Sequence, residues 1–363
     1  MHPESTARIS LIGFLVALST TSCIFAQSPG TKVDRYISTE MAKFQIPGLA
    51  VGIVQGGKVL KLKAYGLSNV ELQIPAGKNS VFPLYSATKL FTGVAVMKLV
   101  EDGKLSLDTP VTDLLKDLPS EWKVIKIRHL LNFTSGLPKL RDSKRFLELP
   151  DDKKKTLSRE EAIPFLAEVP LASRPGDKWV YENTGHNILG VIIAKLSGRS
   201  FPEFLKQQIL DPAGMSQTKF GDSKMVVPGR FATDYILDNG VLATHTYDFG
   251  VDGGNPGSGL NSSMADLVRF FVALEKGRVL KRSSLQQIWT ATRLNDGTDI
   301  PYGLSWMVEK HNGLLSAGHE GGGAAWLFYY PAKDLAILVL CNLNNSKAEE
   351  IQSGVADLYL KSH

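Results

Sequence analysis

Between residues 31 and 45, Val33, Tyr36, Ile37, Met41 and Phe44 recur at the spacing of one helix face, which predicts an amphipathic helix. The pattern then changes. Two apolar runs, 49–54 and 59–64, flank Gly56-Gly57 and predict a β-hairpin. A second pair, 324–330 and 335–341, is joined by Pro331-Ala332-Lys333-Asp334. It predicts another hairpin, followed by a closing helix from about 347 to 360. From Ser86 to about Arg269 the periodicity is mainly helical, as at 87–101, 187–196 and 201–210, with long Gly- and Pro-bearing loops between. Strands at both ends with helices between predict an α/β (α+β) fold. One antiparallel sheet is built from both termini and flanked by helices, and a mainly helical subdomain is inserted. The α/β part spans about 30–85 and 270–363, the helical part about 86–269. A cleft between the two is the expected ligand site.

Composition changes this picture little. Hydrophobic residues make up 43% and charged residues 21%, enough for a sizeable core. The net charge of +5 is mild and evenly spread, which argues against nucleic acid or an anionic membrane surface as partner. Residues 1–26 matter more. Arg8 precedes the apolar run 9–18, and Ser19-Thr20-Thr21-Ser22 follows at once; the run is too short to span a bilayer. This is the pattern of a cleavable signal peptide ending near Ala26. It leaves 27–363 as an exported domain, periplasmic or secreted, with no membrane span. Lipid anchoring at Cys23 is disfavoured, because Thr20 stands where such signals usually carry an aliphatic residue. Without Cys23, Cys341 has no disulfide partner, and its place at the end of an apolar strand marks it as a small buried hydrophobe. No metal-type Cys/His cluster occurs, and no cofactor is expected.

Ser86-Ala87-Thr88-Lys89 opens the 87–101 helix. Residues three apart share a helix face, so the Lys89 amine can reach the Ser86 hydroxyl. A serine hydroxyl needs a base, and a lysine serves if burial lowers its pKa. The helix N-terminus adds N–H groups for a developing oxyanion. The motif alone is weak: Ser-x-x-Lys occurs about once by chance in a chain this long, and Ser216-Gln217-Thr218-Lys219 is such a copy, in a loop without supporting context. Read blandly, Ser86 is a helix N-cap. Two other features raise it above that. Tyr181-Glu182-Asn183 precedes a helical stretch, offering a phenol as base or relay and an amide to orient substrate or Lys89. Gly318-His319-Glu320-Gly321-Gly322-Gly323 leads into the 324–330 strand. Its glycines allow substrate close to the backbone, and His319 can polarise or shuttle a proton. Taken singly, Tyr181 reads as packing under a loop and His319 as a solvent-facing loop residue.

Together these motifs, in this order, resemble the β-lactamase and penicillin-binding-protein superfamily, in its class C-like branch with related esterases and D-aminopeptidases. The likeness runs from about residue 31 to the C-terminus. It includes 46–51, Ile127 to Leu137, Asp211 to Met215, Gly259 to Leu267 and Tyr302-Gly303-Leu304-Ser305-Trp306. The resemblance implies Ser86 as nucleophile and Lys89 as its activator. It implies Tyr181 as general base and proton donor to the leaving group, and Asn183 as contact to the substrate amide. His319 and Gly321 match the strand motif, and the N–H groups of Ser86 and Gly322 are the implied oxyanion hole.

Two departures shape the expected substrate. Glu182 replaces a small residue and adds negative charge, and His319 stands where class C β-lactamases carry a lysine. A histidine is mostly neutral at pH 7 and a poor anchor for a carboxylate. The leading expectation is therefore a serine hydrolase of a small-molecule or peptide-like ester or amide, cell-wall derived or otherwise, with esterase-like or D-amino-acid amidase/peptidase specificity. A β-lactamase or cell-wall D,D-peptidase is the alternative within that chemistry, and a non-catalytic peptidoglycan- or penicillin-binding module the alternative outside it. No Gly-x-Ser-x-Gly elbow supports an α/β-hydrolase. The loops at 139–159 and 222–255 are the expected specificity elements.

Overall fold

Gly48–Gln55 is almost wholly buried, as is Leu335–Cys341, and uninterrupted apolar strands of this kind belong in the middle of a sheet covered on both faces. A computed structural model, describing residues 29–221, 230–245 and 254–360, shows them as central neighbours. Along the chain run α1 (Pro29–Lys43), β1 (Gly48–Gln55), β2 (Lys58–Asn69), β3 (Ile74–Pro75), α2 (Thr88–Glu101), α3 (Thr184–Ser197) and α4 (Met264–Glu275). They are followed by β4 (Met307–His311), β5 (Leu314–Gly321), β6 (Ala325–Tyr330), β7 (Leu335–Cys341) and α5 (Ala348–Leu360). The strands form one antiparallel sheet in the order β4-β5-β6-β7-β1-β2-β3. Its N- and C-terminal parts join at β1–β7, with Leu49 opposite Cys341 and Ile53 opposite Ile337.

Period-two alternation sorts β1 between two cores. Leu49, Val51 and Ile53 lie with Val33 and Ile37 of α1 and Ile351 and Val355 of α5. Ala50 and Val54 share the other core with Met264, Val268 and Phe271 of α4. Residue 269 thus falls within a helix laid on the sheet. α2 is buried around nearly its whole circumference, because it runs between β5 of the sheet and α3 and contacts both. A helix with apolar residues on every side is the expected solution for such a place.

Both predicted hairpins and both terminal helices are present. α3 begins at Thr184, three residues earlier than its periodicity suggested. Gly185 is no breaker there: a Cβ would come 2.9 Å from the Leu130 carbonyl oxygen, so the glycine permits close packing. The predicted 201–210 helix divides into α-helical Phe201–Leu205 and a wider π-type turn, Lys206–Leu210. Unforeseen is a small sheet in which Leu260–Ser263 pairs with both Val81–Pro83 and Lys219–Phe220. The signal-peptide segment and Cys23 lie outside the described residues, as do 222–229 and 246–253 of the predicted 222–255 loop. Among the described residues no helix is long and apolar enough to cross a membrane.

Candidate active site

The turn Tyr85–Ala87 and the first turn of α2 carry Ser86 and Lys89. Ser86 lies in a 3-10 turn just ahead of the α-helix. The preceding residue, Tyr85, has φ +46°, a costly conformation for an aromatic side chain. The Lys89 amine donates to the Ser86 Oγ at 3.2 Å and to the Gly257 carbonyl at 2.8 Å. That carbonyl is placed by the small sheet: the Leu260 N–H donates to Thr88 Oγ1, and Thr92 Oγ1 to the Pro256 carbonyl. Lys89 is completely buried. Burial pushes its amine down to about 7, against the opposing pull of the Glu320 and Glu182 carboxylates. A neutral amine beside a serine hydroxyl is a base in reach of a nucleophile.

The other predicted residues converge on this pair. The Lys89 amine is 4.9 Å from the centre of the Tyr181 ring, and Tyr181 remains 40% exposed, so this phenol bridges a buried amine and solvent. Asn183 stands at the N-cap position of α3 without a side-chain capping bond, and its Oδ1 sits 2.7 Å from where a Cβ on Gly257 would lie. His319 is buried in β5, with its ring centre 6.2 Å from that of Tyr181. It is not the solvent-facing loop residue that a bland reading suggests. Its Nδ1 lies 2.6 Å from the Glu320 carbonyl, which only accepts, so Nδ1 carries the proton and Nε2 accepts the Tyr302 hydroxyl at 2.9 Å. Burial, with Lys89 nearby, pushes the imidazole down to about 3, so it is neutral at physiological pH.

Gly321 and Gly322 fit because they lack a Cβ. One on Gly321 would come 2.0 Å from the Leu84 carbonyl oxygen, and one on Gly322 2.8 Å from the Tyr85 ring. β5 therefore lies directly against the Ser86 turn. Glu182 turns aside: Oε1 accepts the Asn183 N–H, and Oε2 is 3.8 Å from Lys139. Cys341 is buried in β7, and burial pushes its thiol up to about 11, consistent with an inert filler of the core. Ser216 of the second Ser-x-x-Lys copy lies in the turn before the strand Lys219–Phe220.

Sequence reasoning missed three contributors. Tyr302 holds His319, yet the stretch 302–306 offered only a likeness. The Gly257 carbonyl has no side-chain signal at all. Phe133, with φ +61°, packs with its ring tilted against three others, centred 4.5 Å from Tyr181 and 4.9 Å from both Tyr302 and His186. Its carbonyl accepts the Val180 N–H, and that of Thr134 the Gly176 N–H, so this segment clamps the loop that delivers Tyr181.

The fold is that of the β-lactamase and penicillin-binding proteins. The Beta-lactamase family profile matches residues 33–360, and the chain belongs to that family. Penicillin-binding protein 4* of Bacillus subtilis is 31% identical over 295 residues, which cover 77% of this chain and 64% of that protein. Protein flp of Staphylococcus aureus is 24% identical over 86% of this chain and 63% of its own. The chain thus spans a little under two thirds of the length of these relatives. Among solved structures, an octameric penicillin-binding protein homologue from Pyrococcus abyssi superposes with TM-score 0.77 and 28% identity, covering 92% of this chain and 77% of that one. A D-amino acid amidase from Ochrobactrum anthropi SV3 shares the fold, with TM-score 0.76 and 22% identity over 93% of this chain and 99% of that one.

Proposed function

We propose that this protein is an exported serine hydrolase that cleaves esters or amides without a free carboxylate through a covalent acyl-serine at Ser86. The observation that carries the reading is the buried Lys89 amine, 3.2 Å from Ser86 Oγ and pushed down to about 7. Lys89 takes the Ser86 proton, Oγ attacks the carbonyl carbon, and the N–H groups of Ser86 and Gly322 receive the oxyanion. Tyr181, between Lys89 and solvent, relays that proton to the leaving group; later it hands its phenol proton to the neutral Lys89 amine and takes one from the attacking water. Asn183 orients the substrate amide, and Gly321 admits the substrate to the edge of β5. His319 acts as a neutral polar wall with Tyr302.

The neutrality of His319 favours esters and D-amino-acid amides over β-lactams or peptide C-termini, whose carboxylates want a fixed cation. The amidase and penicillin-binding relatives are compatible with such a substrate, cell-wall derived or otherwise. The export reading rests on residues 1–26 alone, and the division into a sheet part and a helical part is likewise our reading. Labelling with a fluorophosphonate, read by peptide mass spectrometry, should place one adduct on Ser86 and none in Ser86→Ala. Parallel rates on a p-nitrophenyl ester, a D-amino-acid amide and a chromogenic cephalosporin should favour the first two. Absence of an adduct would point to a binding module, and efficient turnover of the cephalosporin alone would point to a β-lactamase.

A further inference from the structure

Tyr85 touches both halves of the assigned oxyanion hole. It is bonded to Ser86 in the chain, and its ring abuts Gly322, leaving no room there for a Cβ. Its φ of +46° must be held by contacts, since an L-aromatic residue seldom adopts it unaided. Part of the hold is apolar: the ring packs in the core beneath the sheet, whose members include Tyr235, Ala324 and Leu343. The other part is polar. The Tyr85 hydroxyl donates to Asp234 Oδ2, and His245 Nδ1 approaches the same oxygen at 2.7 Å. Asp234 is 9% exposed, and its second oxygen is buried with no hydrogen-bond partner among the described residues. The Asp234 backbone is fixed as well, its carbonyl accepting the His245 N–H at 2.8 Å.

A half-satisfied buried carboxylate is a poor stabiliser of a fold. What it does supply is a directional anchor at the far end of the Tyr85 ring. We propose that Asp234, held from the solvent side by His245, is a positioning residue for catalysis: through the Tyr85 hydroxyl it fixes the turn that aims Ser86 Oγ and sets the spacing between the Ser86 and Gly322 N–H groups. The proposal rests on the acyl-serine reading of this site. It concerns geometry at the tetrahedral stage, so substrate binding should be nearly indifferent to it while the chemical step is not.

The test compares Tyr85→Phe, Asp234→Asn and the double variant on a p-nitrophenyl ester, with rates normalised to Ser86 titrated by fluorophosphonate so that misfolded protein does not count. Each single variant should lose roughly ten- to hundredfold in kcat per titrated site with KM within about twofold. The double variant should be no worse than the poorer single one, because both remove the same hydrogen bond. Single variants that retain wild-type kcat per titrated site, or losses that multiply in the double variant, would overturn the proposal alone. A wild-type protein whose Ser86 takes no label would overturn the hydrolase reading and this proposal with it.

Discussion

Replacing Lys89 by Met should make the protein more stable at neutral pH while abolishing its activity. The amine is fully buried and pushed from 10.5 down to about 7. That shift of about 3.5 units, at about 1.36 kcal/mol each, sets a folding penalty on the order of 5 kcal/mol. The sign follows from the protons bound. Between about 7 and 10.5 the unfolded lysine holds a proton that the folded one has shed, so stability rises with pH across that window. The penalty is complete below about 7 and gone above 10.5. Methionine matches the length without the charge but leaves the Gly257 carbonyl without its donor, a loss of about 1–3 kcal/mol. The net gain near pH 6 is therefore about 2–4 kcal/mol, or a rise in Tm of several degrees, at roughly 2 °C per kcal/mol for a large domain. Thermal melts of both proteins at pH 6 and pH 9 test this, with ester hydrolysis measured alongside. The variant should melt higher at pH 6, by a margin that shrinks at pH 9, and lose roughly a thousandfold or more in kcat. A variant that melts lower at pH 6, or a margin independent of pH, would refute the argument.

Three further outcomes follow from the same geometry. Removing the Glu182 carboxylate, which raises the Lys89 pKa, should in Glu182→Gln move the acid limb of the kcat/KM profile, near pH 7 in the wild type, to lower pH. An unmoved or raised limb contradicts that coupling. Gly321→Ala forces a methyl group against the Leu84 carbonyl, so both the thermal midpoint and the titratable Ser86 should fall; wild-type behaviour would show that the strand has slack. Cys341→Ala removes one buried sulfur from β7 and should cost about 1–2 kcal/mol in denaturant unfolding, with activity per folded molecule unchanged.

The sheet was legible in the sequence because its central strands carry local signals. β1 and β7 are unbroken apolar runs, and each hairpin has its own turn residues. The candidate site was legible as three side-chain motifs that the fold brings together, but the groups around them were not. Lys89 depends on a backbone carbonyl at Gly257 delivered by a four-residue strand, Leu260–Ser263, too short to stand out from its Ser- and Gly-rich flanks. His319 depends on a hydroxyl seventeen residues upstream, a pairing that no periodicity encodes. The left-handed backbone at Tyr85 and Phe133 is invisible to propensity, which assigns aromatic residues to strands and helices. Here tertiary contacts overrule local preference next to the proposed reacting groups, as functional sites commonly allow.

The pairing of β1 with β7 also sets a timetable. Of the strands in this sheet β1 is made first, yet one of its two hydrogen-bonding edges waits for β7, the last of them. Until then its apolar faces want a cover that the nascent polypeptide cannot complete, and such distant pairings close slowly. A polypeptide threaded through a narrow pore would therefore keep that edge of β1 open until Cys341 had passed.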